Sequence, residues 1–287
     1  MPRQQAAADD TRLAFLQDFA HRLNAGQIEL PPFPDAYARI LSALENPDLS
    51  MAQVAKVIAG SPDLCVRVLR MANSALLNRS GIEVTDLGVA VSRLGVAAVR
   101  NAAVSLATQE AFPIPKDSPR YQELASLHEA AVKTAAWAYA LARRARLGTL
   151  SDNAMLTGLL HNVGSFYLLT RVDDFPEFGD PETARSWGPG VGSAIISNWG
   201  FPDEIAKAVE DQDVTDNCQP GKANLHDLLV VSKRMAAIPD SDEGRNAAVE
   251  SWEGSPAFCK LGISHLNLSS VMDETREEVA SFLGAFH

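Results

Sequence analysis

Cysteine is scarce in this chain. There are three in 287 residues, Cys65, Cys218 and Cys259, an odd number without CxxC spacing. A disulfide framework or a cysteine-based zinc site is therefore not expected. No run of about 18 apolar residues is present, so no membrane-crossing segment is expected. The opening stretch MPRQQAAADDTRLAF puts two aspartates where a signal peptide needs its apolar core, which points to a cytoplasmic protein. Strand signals are nearly absent, and neither GxSxG nor a P-loop occurs. Gly188-Pro189-Gly190-Val191-Gly192 is glycine-rich but does not follow a strand, so it makes no dinucleotide fingerprint and reads as a flexible turn.

What is present is ordinary globular composition, 46% hydrophobic and 21% charged, which argues against disorder. The length fits two structural units or one large one. Charge is distributed unevenly. Residues 1–120 hold 12 basic and 12 acidic side chains, whereas 121–287 hold 13 and 24, so the whole net charge of −11 lies in the second part. Nucleic-acid affinity rests on Lys and Arg neutralising phosphates, and an acidic half disfavours a large footprint there. Dispersal of a soluble protein explains the acid excess equally well.

Hydrophobic periodicity predicts helices throughout, hence an all-α fold. The spacing of Leu13, Leu16, Phe19 and Leu23 predicts a helix over 9–24. Ser50 and Gln53 have capping-box spacing for a helix that Gly60 would end in the left-handed conformation. Ser61-Pro62 opens the next helix and Asp86 caps another, interrupted at Gly95 and resumed over 96–111. Three prolines within 112–119 mark an internal boundary. Beyond it the pattern predicts helices over 121–146 and 152–171, a loop rich in Pro, Gly and acid over 173–191, and helices over 191–198, 202–212, 223–237, 255–260 and 268–286. A polar loop, DSDEGR, covers 240–245.

Two constellations invite chemistry. Residues 51–73 read as helix–turn–helix, with Arg67, Arg70 and Asn73 on the second helix. Its leading turn, however, is Pro62-Asp63-Leu64, and an aspartate there would face phosphates unfavourably, so DNA reading is disfavoured. The histidines offer a second possibility, because metal-dependent phosphohydrolysis needs several His and Asp ligands. His128 sits inside one helix and His161 in GLLHNVG on another, followed by the weak ligand Asn162. His226 and Asp227 are helix neighbours about 100° apart and cannot readily share a metal. His21, His265 and His287 have no ligand company nearby. A lone helical histidine is more often a hydrogen-bonded structural residue.

The stretch LPPFPDAYARILSALENPDLSMAQVAKVIAGSPDLCVRVLRMANSALLNRSG, followed by VTDLGVAVSRLGVAAVRNAAVSLA, closely resembles the N-terminal part of the bacterial HDOD family. Its hallmarks are Leu30-Pro31-Pro32, the cap from Asp48 to Ser50, Ser61-Pro62-Asp63-Leu64, Met71-Ala72-Asn73-Ser74 and Arg93-Leu94-Gly95. His128 in a long helix and GLLHNVG resemble the family's HD-like half. The resemblance extends over roughly residues 25–235. It implies a multi-helix fold in which an N-terminal helical half packs on a degenerate HD-like half. The expected divisions are an N-terminal helix (1–24), the N-terminal half (25–117), the HD-like half (118–237) and a C-terminal helical tail (238–287).

The family is related to HD-domain metal-dependent phosphohydrolases, whose site uses a histidine, a His-Asp pair and a later aspartate. By resemblance His128 matches the first histidine and His161 the second, while Asn162 replaces the paired aspartate. Glu210-Asp211-Gln212 stands where a Glu-His-His segment is frequent. Ser232-Lys233-Arg234 falls near the later aspartate, where a lysine would repel a cation. Hard cations want carboxylate oxygens, so neither catalytic residues nor a bound cofactor is expected. The implied role is a non-catalytic signal-transduction module. A groove between its halves would receive a regulatory protein or small signalling ligand, and Asn73, Arg93 and Arg100 are candidate contacts. The alternative is a divergent HD-type phosphohydrolase acting on a nucleotide or cyclic dinucleotide.

Overall fold

The structure is a computed structural model that describes residues 30–78, 80–148, 150–215, 221–239, 248, 255–264 and 266–286. The sequence-predicted helix over 9–24, His21, Cys218, the 240–245 loop, His265 and His287 lie outside the described residues. The chain divides into two compact units, Met1–Pro32 and Phe33–His287, and every described helix belongs to the second. Among the described residues there is no strand.

Local signals set the first helices. Helix α1 spans Asp35–Leu44 and α2 spans Met51–Ile58. The Ser50 hydroxyl accepts from Gln53 N, and the Gln53 side chain accepts from Ser50 N at 2.8 Å, a complete capping box. Gly60 departs from expectation. The helix ends through Ala59 in the right-handed region, and Gly60 is not among the positive-φ glycines. Ser61 N reaches back to Ile58 O at 2.9 Å and Pro62 begins α3 (Pro62–Asn73) at once, so the turn needs no left-handed residue. Ser61 holds the N-cap position without a side-chain cap bond. Asp86 does cap α4 (Leu87–Ala111), accepting from Val89 N at 2.8 Å. Gly95, at φ 80°, kinks α4 as its sequence position suggests.

Helix α4 is the inner element of this first group, with α1, α2 and α3 packed around it. By length and composition it could cross a membrane, even though polar residues interrupt its apolar stretches. Its second half, from Ala98 to Thr108, is almost wholly buried among neighbouring helices, the pattern of a core helix. It also packs against α6, and so joins the first helices to the rest.

Helix α5 (Tyr121–Arg144) is the axis of the second group, touching α6 (Leu150–Leu160), α7 (Val163–Thr170) and α10 (Leu225–Ala237). Gly158 of α6 permits close approach to α5, because a Cβ there would lie 2.5 Å from the Ala135 Cα. The expected single helix over 152–171 is two, broken at His161-Asn162. The expected loop over 173–191 is also wrong. A 3₁₀ turn covers Pro176–Gly179, and α8 runs Pro181–Asn198 with Pro189 inside it. Asp180 caps α8 through Thr183 N at 2.8 Å, with Pro181 in the first turn. The glycine run is therefore helical: Gly188 and Gly192 lie against Gly164 of α7, whose own side chain, had it one, would collide with their backbone. Helix α9 (Asp203–Glu210) packs on α8, α10 and α6.

Two further helices are α11 (Pro256–Lys260) and α12 (Leu268–Phe286). Helix α11 lies on α10, and Lys260 Nζ meets the buried Asp227 at 2.9 Å. Helix α12 packs against both α3 and α5, and Ala75 N donates to Ser281 Oγ at 2.7 Å.

Candidate functional site

The helix break at His161-Asn162 creates unpaired backbone groups that must be satisfied nearby. His161 is 4% exposed, and its Nδ1 lies 2.7 Å from Gly158 O. A carbonyl only accepts, so Nδ1 carries the proton and Nε2 is left as the acceptor. The His161 carbonyl is met by Gln212 Nε2 at 3.1 Å, from the end of α9. Asn162 does not cap α7. Its Nδ2 instead donates to Leu127 O at 3.1 Å and ties the break to α5.

Lys233 of α10 completes this cluster. Its ammonium donates to Gln212 Oε1 and to Asp213 Oδ1, both at 2.7 Å. Burial lowers the Lys233 pKa, and the Asp213 carboxylate partly opposes that. Burial likewise pushes His161 down to about 3, and the positive charge of Lys233 adds to the shift. His161 is thus a neutral imidazole beside a half-buried ammonium.

His128 has other neighbours. Its ring stacks on Phe166 with centroids 4.2 Å apart, and burial followed by the charge of Arg67 lowers its pKa to about 4. No hydrogen bond from the described residues reaches its ring nitrogens. The imidazole borders a cavity of about 350 Å³ between the end of α4, the 112–114 connector, α5 and Phe286 of α12. A larger, shallower hollow of about 610 Å³ lies elsewhere, lined by Arg143, Arg144, Arg146, Glu274 and Glu278. There Arg144 is already paired with Glu274 at 2.8 Å.

The groups assembled here do not fit a divalent cation. No set of three His, Cys, Asp or Glu side chains among the described residues is arranged to hold a metal. Asn162 offers a cation only a neutral amide oxygen, and Asp213 is held by Lys233. Lys233 and Asp213 act on His161 with opposite signs, and the larger effect, that of the lysine, opposes a cation. Asp227, the other nearby carboxylate in sequence, is paired with Lys260 and accepts from Asn224 N at 3.1 Å. His226 is occupied as well, with Nε2 3.0 Å from Asp211 O.

The three candidate contact residues lie along α3 and α4. Asn73 forms a two-way bond with Val84, donating to its carbonyl and accepting from its amide, each at 2.8 Å. Arg93 donates to Ala72 O at 3.1 Å and Ile82 O at 2.9 Å. Both residues thus brace the 74–86 connector from inside. Arg100 is half-buried beside Asp152, and its Nε has no hydrogen-bond partner among the described residues. Arg67, singled out as a potential base reader, is buried: its Nη1 donates to Ser105 Oγ at 3.1 Å and its guanidinium lies 4.7 Å from the centre of the Phe286 ring. Sequence reasoning missed Phe112, Phe166 and Phe286 as walls around His128. Their scattered positions give no local signal.

An all-helical scaffold with a histidine at a helix break, backed by a long helix bearing another, places the chain among HD-like helical folds. The family model for the HDOD domain matches residues 30–214, and the chain belongs to that family. A crystal structure from Shewanella amazonensis SB2B, of a protein named as a candidate metal-dependent phosphohydrolase, shares the fold. Its TM-score is 0.77 at 22% identity over 95% of this chain and 99% of that one. An HDOD domain protein of unknown function from Geobacter sulfurreducens matches at TM-score 0.66 and 20% identity, covering 97% and 99%. An uncharacterised protein of Treponema pallidum (strain Nichols) is 22% identical over 195 residues, 63% of this chain. The aligned region spans only 37% of that relative's length.

Proposed function

We propose that this chain is a non-catalytic signal-transduction module that binds a regulatory protein or small ligand. One observation carries the reading: a half-buried lysine ammonium, Lys233, stands beside His161, near the place where the family resemblance implies a metal-liganding aspartate. Even paired with Asp213, this lysine has the larger electrostatic effect on His161 and opposes the cation that an HD-type mechanism needs. The neutral amide of Asn162, where the resemblance implies the paired aspartate, supports the same reading, because it brings no negative charge to a cation.

One feature favours the rival, a divergent HD-type phosphohydrolase. The His161 Nδ1 contact to Gly158 O leaves Nε2 as an acceptor, the tautomer that metal-bound histidines use. Metal analysis of the purified chain and a phosphatase and phosphodiesterase screen with Mn²⁺ and Mg²⁺ separate the two. The binding-module reading predicts no metal-dependent turnover. Turnover that disappears in His161→Ala would overturn it.

A further inference from the structure

The cavity at His128 is the feature that the proposed function leaves unassigned. Phe112, Tyr121 and Phe286 supply aromatic walls, while Ile114, Leu124 and Val132 add aliphatic surface. Phe112 and Phe286 are buried and held in place from behind. Phe112 stacks near Phe166 with centroids 5.8 Å apart, and the Arg67 guanidinium lies over the Phe286 ring. The walls are therefore pre-formed, as a binding site needs if it is not to lose affinity in ordering itself. At about 350 Å³ the space falls at the lower end of the range for small-molecule pockets.

The polar content of the lining defines the ligand. No lysine or arginine side chain lines the cavity, and its one charged side chain is the carboxylate Glu129 at the exposed rim. Phosphate groups are recognised by guanidinium, ammonium or clustered backbone N–H groups. Nothing of that kind faces this space, so a nucleotide does not suit it. What faces it, besides the uncharged Gln109 amide and Tyr121 hydroxyl, is an imidazole without a hydrogen-bond partner among the described residues, set among aromatic rings. A neutral imidazole offers one donor and one acceptor, enough to orient a flat ligand by a single polar group.

We infer that this cavity binds a small, uncharged aromatic molecule carrying one hydrogen-bonding group, stacked on Tyr121 over a floor edged by Phe112 and Phe286 and fixed by His128. The inference deepens the binding-module reading and rests on it, since the ligand would be that module's regulatory signal. The site joins the end of α4 to α5 and α12, so occupancy would bear on how these elements pack.

Indole is a suitable probe, with adenosine monophosphate as its phosphorylated counterpart, measured by saturation-transfer NMR against the purified chain. Indole should bind saturably and adenosine monophosphate should not. Ala125→Phe, at an exposed position lining the cavity, should abolish indole binding by filling the space. Ala130→Phe, exposed on the same helix but outside the lining, should leave it unchanged. His128→Leu keeps the apolar wall and should weaken binding about tenfold, the loss of one hydrogen bond. Absence of saturable indole binding, or binding indifferent to Ala125→Phe, overturns the pocket and leaves the module reading standing. Metal-dependent hydrolysis in the separate screen would instead overturn the module reading, and with it the regulatory role given to the ligand.

Discussion

His161 and His128 are two groups whose protonation separates the folded from the unfolded chain on the acid side of neutrality. Burial holds them near 3 and 4, against an ordinary value of 6.5. Between those limits the unfolded chain takes up protons that the native state refuses, so stability rises with pH across that window. Their contribution is fully present above about pH 6.5 and is lost as the solution is acidified towards pH 4. His161 alone should account for about 2 kcal/mol between pH 7 and pH 5. Urea titrations at pH 7, 6 and 5 should show that fall, and His161→Gln should flatten the profile by about this amount. An unchanged slope in the variant would mean that the ring is solvated. The family resemblance groups His161, Asn162, Gln212 and Lys233 from sequence; the structure links His161, Gln212 and Lys233 by hydrogen bonds, while Asn162 bonds away from them to Leu127. The Phe286–Arg67 contact was not legible, because nothing local ties the last turn of α12 to α3.

Helix α8 shows where sequence patterns mislead. Residues 188–192 combine glycine and proline, composition that normally marks a turn. Here the glycines serve packing, since α7 and α8 approach so closely that Gly188 and Gly192 leave no room for a Cβ on Gly164. The tertiary contact overrides the local preference, and no window of a few residues could reveal it. The capping box differs. Ser50 with Gln53 was readable because the interacting groups are three residues apart. The contrast between glycines is testable. Gly164→Ala must force α7 from α8, with a cost of about 1–3 kcal/mol or more. Gly190 is exposed, and a methyl group placed there would meet open space, so Gly190→Ala should stabilise by up to about 1 kcal/mol. Urea midpoints of the two variants should therefore move in opposite directions.

At the scale of the whole molecule, α4 and α12 each span the two helical groups. Helix α4 does so through α6, and α12 by lying on both α3 and α5. Phe282 is fully buried within α12. Phe282→Ala should cost about 3–5 kcal/mol. Hydrogen exchange should accelerate in α3 and α5 as well as in α12. Faster exchange confined to α12 would show that the groups are held together without it.

The Ala75–Ser281 bond spans two hundred and six positions of the chain. A polypeptide leaving the ribosome at about 5–20 residues per second would present α3 long before its covering helix exists. During that interval the faces of α3 and α5 that later meet α12 are accessible to chaperones and proteases. Synthesis arrested before residues 268–286 emerge should therefore yield fragments that are degraded quickly or retained by holdases.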